Sequence, residues 1–595
     1  MRGNARRFAV AGAGLVLAST TVSVTYPAPG HAESADTVAG TAARAAVPSG
    51  AARLGTGLAA PTVSGAAAAA SGTADGPLDW GKCTDLKAPV SVRMQCARLV
   101  VPLDRDAEES DAVVEIALSR VPAREKAANV LLVNPGGPGS RGRFLAADVA
   151  RNLPDDLRDT YDVIGFDPRG TGASKPALTC DPDFFAPPRP DTVPRTAEDE
   201  DLLVKRAKAY AGACDRAGGA LLAHMRTTDS AHDIDAIRAA LGRDRVDYFG
   251  YSYGTYLGAV YATLYPERVR RLVLDSVVHP GRGWYRGNLE QSRSLNDAAG
   301  GFFDWIARHD ATYGLGDSAA EVAGRYYATR SALGKKPADD RIGPTELEST
   351  YMVATYAAPA WPLLARALAD MANDDDPERL IAAFDRLGET AEDEPAFAGY
   401  LATECTDAPW PRSWPTWRAD GTRVHAEAPF LGWHNIWYNA SCAFWPAEAG
   451  EWFQVDGSRV RSALLIHATE DGPTPLDGAY AMHRRFPTSR LVIEDGGRSH
   501  GVALSGNECV DDTLFAYLRD GQLPQASRAF DDVDQVCGAL PEPEPRASKG
   551  KEAESDTRSA PVPGASDPAA FGRDSVASPR RPAFPSISAV PSTNR

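Results

Sequence analysis

The stretch Gly250-Tyr251-Ser252-Tyr253-Gly254 constrains this chain more than any other. It matches G-x-S-x-G, in which a strand meets a helix at so sharp a turn that the central serine takes a strained backbone. The two glycines leave room for the elements to cross. The flanks predict that context. Val246-Asp247-Tyr248-Phe249 reads as a short buried strand, and Thr255 to Tyr265 as a helix whose small face, Gly258, Ala259 and Ala262, permits close packing. Pro266 then ends it. Such a turn holds a serine hydroxyl where it can act as a nucleophile. The plainer alternative is a serine in an ordinary strand-to-helix loop.

Other segments supply a sheet for that turn. Ala112 to Val121 alternates as a half-buried strand, while Val130-Leu131-Leu132-Val133 and Val163-Ile164-Gly165-Phe166 are continuous apolar runs of the kind found in parallel sheets covered on both faces. A helix is predicted over Ser230 to Leu241, with Asp229 as N-cap and Gly242 closing it. Further strands are expected at Leu272-Val273-Leu274, Ala463-Leu464-Leu465-Ile466 and Leu491-Val492-Ile493. Strands alternating with helices indicate an α/β, doubly wound architecture.

The strand pattern stops near Pro280 and resumes near Val460, which predicts an inserted, mainly helical cap. Ten of the eleven tryptophans lie in it, from Trp284 to Trp452. Most are expected to form the cap's own core, and an aromatic substrate wall is the alternative.

Both ends of the chain read differently. Arg2, Arg6 and Arg7 precede an apolar, alanine-rich run, Phe8 to Val24, and Gly30-His31-Ala32 offers a small-residue cleavage site, so a signal peptide over 1–32 and export are expected. Residues 33–77 are a leader or propeptide too poor in large apolar side chains to pack, and 540–595 a disordered tail without a hydrophobic anchor. The folded part is then 78–539: core over 78–280, cap over 281–455, and core again over 456–539. A formal charge of −16 without a basic patch argues against nucleic acid as a partner. Eight cysteines fit an oxidising destination. With no C-x-x-C and no H-E-x-x-H, neither a metal nor a cofactor is expected.

A serine becomes a good nucleophile only beside a base that a carboxylate orients. Behind this kind of turn the chain order is serine, acid, histidine. Asp471, in Glu470-Asp471-Gly472-Pro473-Thr474-Pro475, follows one predicted strand, and His500, in Gly496-Gly497-Arg498-Ser499-His500-Gly501, follows the next. Both stand where open α/β sheets place functional groups. Glu470 is the rival acid; His467 and His483 are the rival bases. The oxyanion of a tetrahedral intermediate needs backbone donors. The N–H of Tyr253 is one, and Asn134-Pro135-Gly136-Gly137-Pro138-Gly139 offers the second at Gly137, with Gly136 close behind. That loop also reads G-x-G-x-x-G from Gly137 to Gly142, with Asp159 and Asp162 downstream, a dinucleotide-binding pattern. The prolines in the turn and the expected export argue against it.

Taken together, Asn134 to Gly139, Phe166-Asp167-Pro168-Arg169-Gly170-Thr171-Gly172, Gly250 to Thr255, Cys405-Thr406-Asp407-Ala408-Pro409-Trp410-Pro411 and Asp471 to Pro475 resemble the secreted tripeptidyl aminopeptidases of actinomycetes. These are relatives of proline iminopeptidase within the α/β-hydrolase fold. The resemblance covers most of Leu78 to Gly538. It implies Ser252, Asp471 and His500 as a triad and release of short peptides from free N-termini. It also implies disulfides pairing Cys83 with Cys96, Cys180 with Cys214, Cys405 with Cys442 and Cys509 with Cys537. Arg141 and Arg498-Ser499 depart from the family pattern. A hydrolase that requires a free N-terminus must meet a desolvated ammonium with carboxylates, and Glu404 and Asp407, beside Trp410, are the residues expected to do so. A secreted carboxylesterase or lipase using the same triad is the alternative activity, and a catalytically silent binding protein is the non-enzymatic one.

Overall fold

The apolar runs are strands, and they sort their side chains with a period of two. In Asn129–Asn134, Val130 and Leu132 enter one hydrophobic layer while Leu131 and Val133 enter the other. Residues 272–274 and 464–466 divide the same way, so a continuous hydrophobic run is what a sheet buried on both faces requires.

The structure, a computed structural model, describes residues 72–73, 78–86, 92–107, 112–527 and 533–546. All belong to the unit Ala68–Arg595. The signal peptide expected over 1–32 lies outside the described residues. Among the described residues, eleven strands form one sheet. In chain order the first six are β1 (Gly72–Thr73), β2 (Gly81–Lys82), β3 (Gln95–Pro102), β4 (Val113–Val121), β5 (Asn129–Asn134) and β6 (Tyr161–Asp167). The others are β7 (Val246–Tyr251), β8 (Val269–Asp275), β9 (Ala463–Ala468), β10 (Ser489–Asp495) and β11 (Gln535–Gly538). Their spatial order is β1-β3-β4-β6-β5-β7-β8-β9-β10-β11, with β2 on β3. From β6 to β11 all neighbours are parallel. The chain builds β6 on one side of β5 and then returns to place β7 on the other. The carboxyl ends of β5 and β7 therefore flank a topological switch point, where such sheets open a crevice.

Disulfides staple both edges of this sheet. Cys83–Cys96 ties the segment after β2 to β3, and Cys509–Cys537 ties the helix Glu508–Asp520 to β11. The other two, Cys180–Cys214 and Cys405–Cys442, lie outside the sheet. These are the consecutive pairings.

Between β8 and β9 no named strand occurs among the described residues, and helices from Trp284–Arg308 to Gly432–Asn439 build the cap. It has a hydrophobic cluster of its own around Phe302, Trp305, Tyr326, Leu347, Trp361 and Phe384. Trp305, Trp361, Trp417 and Trp445 are fully buried.

Four expectations shift. Leu78 is too late a start, because Gly72 and Thr73 pair in parallel with Leu99 and Val100 of β3. Ala539 is too early an end, because 540–546 lies against the cap: Trp305 Nε1 donates to Pro543 O at 3.2 Å, and Glu542 forms a two-pronged ion pair with Arg308. The helix before β7 runs Thr227–Ala240, so Asp229 is its third residue; its carboxylate accepts the Arg226 N–H at 3.0 Å instead of capping from outside. Finally, the excursion between β6 and that helix packs on the cap. Glu394 of the cap helix Glu394–Asp407 accepts from the N–H of Cys180, the N–H of Asp181 and the hydroxyl of Tyr210, and Phe184 stacks on Phe397.

Candidate active site

Ser252 stands at the turn from β7 into the helix Tyr253–Leu264 with φ 55° and ψ −128°, a left-handed backbone that is costly for a residue with a side chain. The surroundings hold it there. Its N–H donates to Asp275 O at 3.0 Å, and its carbonyl accepts from Thr255 N at 2.8 Å and Thr255 Oγ1 at 2.6 Å. The flanking glycines are sterically required: a Cβ on Gly250 would lie 2.3 Å from Gly254 O, and one on Gly254 would lie 2.7 Å from Asn134 O. Tyr253 opens the helix, so its N–H has no intrahelical acceptor.

Asp471 and His500 come together at the ends of β9 and β10. His500 Nδ1 lies 2.9 and 3.1 Å from the two carboxylate oxygens of Asp471. Both side chains are wholly buried. Burial opposes the charge on Asp471, but His500, His467 and the N–H of Thr474 together outweigh it and hold its pKa below the ordinary value. With Nδ1 committed to Asp471, His500 keeps Nε2 buried and without a hydrogen-bond partner. That is the nitrogen a triad uses to accept the serine proton.

The rivals are occupied elsewhere. His467 accepts the Val277 N–H at Nδ1 and contacts Thr474 O through Nε2, both at 2.9 Å. His483 bonds Ser489. Glu470 forms an ion pair with Arg498 at 2.7 Å.

The loop after β5 approaches the turn through Gly136, whose N–H is spent on Asn134 Oδ1 at 2.9 Å. That removes it as an oxyanion donor, whereas Gly137 lines the cavity beside Ser252 and Tyr253. The G-x-G-x-x-G pattern has a packing explanation. A Cβ on Gly139 would lie 2.2 Å from Ala396 O of the cap, and one on Gly142 would lie 2.1 Å from Phe166 O of β6.

The cap closes over this crevice and leaves a cavity of about 1600 Å³ including its mouth. Tyr356 of the cap accepts the His500 N–H at its carbonyl, at 2.7 Å, and sets its ring edge-on to the imidazole. Gln291 donates to Pro473 O in the acid loop at 2.9 Å. Trp284 and Trp452 line the cavity near Tyr253, so these two tryptophans form an aromatic wall.

Three carboxylates line the cavity, and they differ in their partners. Glu389 pairs with Arg189 at 2.6 Å, and Asp393 caps Thr390 N at 2.7 Å. Glu404 accepts from Asn288 Nδ2 at 3.0 Å, and no cation among the described residues lies within ion-pair distance of it. Burial, with Asp407 nearby, pushes the pKa of Glu404 up to about 8 against the pull of its hydrogen bonds. The other two residues expected here sit outside the cavity wall. Asp407 is occupied by Thr227 N, Thr227 Oγ1 and Trp284 Nε1, and Trp410 donates to Glu404 O while stacking on Trp417. Asp407 and Trp410 are framework residues. Sequence reasoning passed over Asn288, Tyr356 and Asp275; of these only Asp275 carried a signal, a carboxylate at the end of a predicted strand.

A profile of the alpha/beta hydrolase fold matches residues 129–500. The tripeptidyl aminopeptidase of Streptomyces lividans is 39% identical over 471 residues, 77% of this chain and 87% of its own. The serine protease Hip1 of Mycobacterium tuberculosis is 30% identical over 475 residues, 75% of this chain and 90% of its own. A Mycobacterium tuberculosis protein named carboxylesterase B is 31% identical over 468 residues, with 75% and 89% covered. With the sheet order, the strained serine turn and the aspartate-histidine pair already in place, these likenesses establish that the chain belongs to the α/β-hydrolase family, in the group of the Streptomyces tripeptidyl aminopeptidases.

Proposed function

We propose that this protein is a secreted serine exopeptidase that removes short peptides, tripeptides in the first instance, from free N-termini. The observation that carries the reading is Glu404: a buried carboxylate with no cation among the described residues at ion-pair distance, in the wall of the same cavity that Ser252 lines. A desolvated α-ammonium is the group such a carboxylate fits. His500 Nε2 takes the proton of Ser252 as Oγ bonds to the scissile carbonyl carbon. The resulting oxyanion is held by the N–H groups of Gly137 and Tyr253. The carbon–nitrogen bond then breaks, and the departing amine takes the proton from His500. Water, deprotonated by the same histidine, attacks the ester carbon; the carbon–oxygen bond to Ser252 then breaks, and Oγ takes the proton back from His500.

Export is supported by the four disulfides, which persist in oxidising compartments. No helix among the described residues is long and apolar enough to cross a membrane. The relative named carboxylesterase B favours a second reading, ester hydrolysis by the same triad. Purified protein tested on peptides with free and N-acetylated termini, alongside simple acyl esters, separates the two. Preference for the free terminus by at least about 100-fold in kcat/KM, roughly 3 kcal/mol of transition-state binding, is expected of the exopeptidase. Equal cleavage of free and blocked peptides, or turnover of esters alone, rejects it. Ser252→Ala should abolish turnover and fluorophosphonate labelling without unfolding the protein.

A further inference from the structure

The carboxylate of Asp275, at the carboxyl end of β8, does not touch the His500 ring through any hydrogen bond among the described residues. It binds the backbone that carries the ring. Val502 N lies 3.1 and 3.0 Å from its two oxygens, and Ala503 N lies 2.6 Å from Oδ2. Ser276 extends the same grip, since its hydroxyl donates to Asp275 Oδ1 at 3.1 Å and accepts the Gly501 N–H at 2.8 Å. Three consecutive N–H groups immediately after His500 are thus gathered by one side chain and its neighbour. The main chain of Asp275 acts on the other partner, because its carbonyl accepts the N–H of Ser252 at 3.0 Å.

We propose that Asp275 is a positioning residue that sets the distance between Ser252 and His500, holding the nucleophile's backbone with its carbonyl and the histidine loop with its carboxylate. This is a different task from that of Asp471, which orients the ring itself through Nδ1. The proposal rests on the reading of Ser252 and His500 as nucleophile and base.

The arrangement explains why a carboxylate is kept in a wholly buried place. An aspartate offers enough lone pairs to accept from two amides and a hydroxyl at once, whereas an asparagine presents one oxygen and turns an NH2 toward the remaining donors. Misplacing a catalytic base by a fraction of an ångström lowers turnover without weakening substrate binding. Burial pushes the pKa of Asp275 up to about 7, against the pull of the Ala503 and Val502 N–H groups, Ser276 and His500. His500 faces Asp275 from the histidine loop. Tyr251 of β7 also lies near, its hydroxyl bonded to Ala503 O, and Asp511 of the helix Glu508–Asp520 accepts the Leu504 N–H of the same loop. As pH rises through about 7 the carboxylate ionises and its hold on the amides strengthens.

The test compares Asp275→Asn and Ser276→Ala with Ser252→Ala in the full-length oxidised protein. Asp275→Asn is expected to lower kcat by about 10- to 100-fold with KM changed less than twofold, and to slow fluorophosphonate labelling in step with kcat. Its kcat profile should lack the ionisation near pH 7 that is expected of Asp275 in the wild type. Ser276→Ala, which removes the Gly501 arm and the hydroxyl's bond to Asp275 but keeps the carboxylate on Val502 and Ala503, should lower kcat several-fold with KM unchanged; it decides the matter if the asparagine variant does not fold. A folded Asp275→Asn protein with wild-type kcat and pH profile overturns the proposal, as does a loss carried wholly by KM. If Ser252→Ala stays active, the reading of the nucleophile falls first, and the two failures are thereby distinct.

Discussion

Gly136 packs so closely on Ser252 that a Cβ on the glycine would stand 2.9 Å from the Cβ of the serine and 2.6 Å from Tyr251 O. Its φ of 99° also lies where residues with side chains are strained. Gly136→Ala should therefore displace the serine turn. The expected result is at least about a 100-fold loss in kcat, together with about 1–3 kcal/mol of lost stability. Active-site labelling and denaturant unfolding measure the two effects separately.

Glu404 predicts an unusual pH dependence. With a pKa of about 8 it is a neutral acid in the empty site at pH 6, and it must give up its proton to meet an ammonium. KM for a free-amine peptide should fall as pH rises from 6 to 8. Above that it should rise again as the peptide amine, with an ordinary pKa of about 8, loses its own proton. In Glu404→Gln the fall should vanish and KM should rise by about 10-fold or more, while simple esters are unaffected. Initial-rate kinetics across pH on paired ester and peptide substrates check this.

Much of this site was legible in the residues because its signals are local. The serine turn has glycines two positions to either side, and Asp471 and His500 each follow an apolar strand by a few residues. What escaped depends on distance along the chain. Asp407 looks like a free acidic loop residue until Thr227, 180 positions away, is found on its carboxylate. Asp275 became notable only when β8 was set beside β7, so that its carbonyl met Ser252. The excursion between β6 and the helix Thr227–Ala240 carries no mark of belonging with the cap, because Glu394 reaches Cys180 across more than 200 residues. Strand β3 went unnoticed because Gln95 and Arg98 break its apolar run; at the sheet's antiparallel end, partly exposed positions are tolerated.

Truncation should distinguish two parts of the C-terminal region. Ending the chain at Ala539 removes Glu542 and Pro543, which engage Arg308 and Trp305 of the cap. Ending it after Arg546 keeps both. The shorter form should melt several degrees lower and the longer one should match the full chain, as read by differential scanning fluorimetry. Equal melting of the two would show that the contacts contribute little.

The Cys405–Cys442 bridge closes a loop of 37 residues and starts from the helix that carries Glu404. A bridge across a loop of that size contributes about 4 kcal/mol by restricting the unfolded chain. Replacing both cysteines with serine should lower the unfolding midpoint. It should also raise KM more than it lowers kcat, because the ammonium site loosens while the serine turn does not. Unfolding curves and peptide kinetics on the double variant test both halves.

The cap enters and leaves between β8 and β9, which are direct neighbours in the sheet, with Leu272 aligned to Ala463. The two strands run parallel, so the chain leaves at the carboxyl end of β8 and returns to the amino end of β9, and backbone hydrogen bonds that the cap does not supply hold the two strands in register. In evolutionary terms this is a socket: helical inserts of different length and lining can be exchanged there while the strand register, and with it the spacing of serine, aspartate and histidine, stays as it was. One chemical engine can in that way be fitted to different substrates by changing only what is plugged in above it.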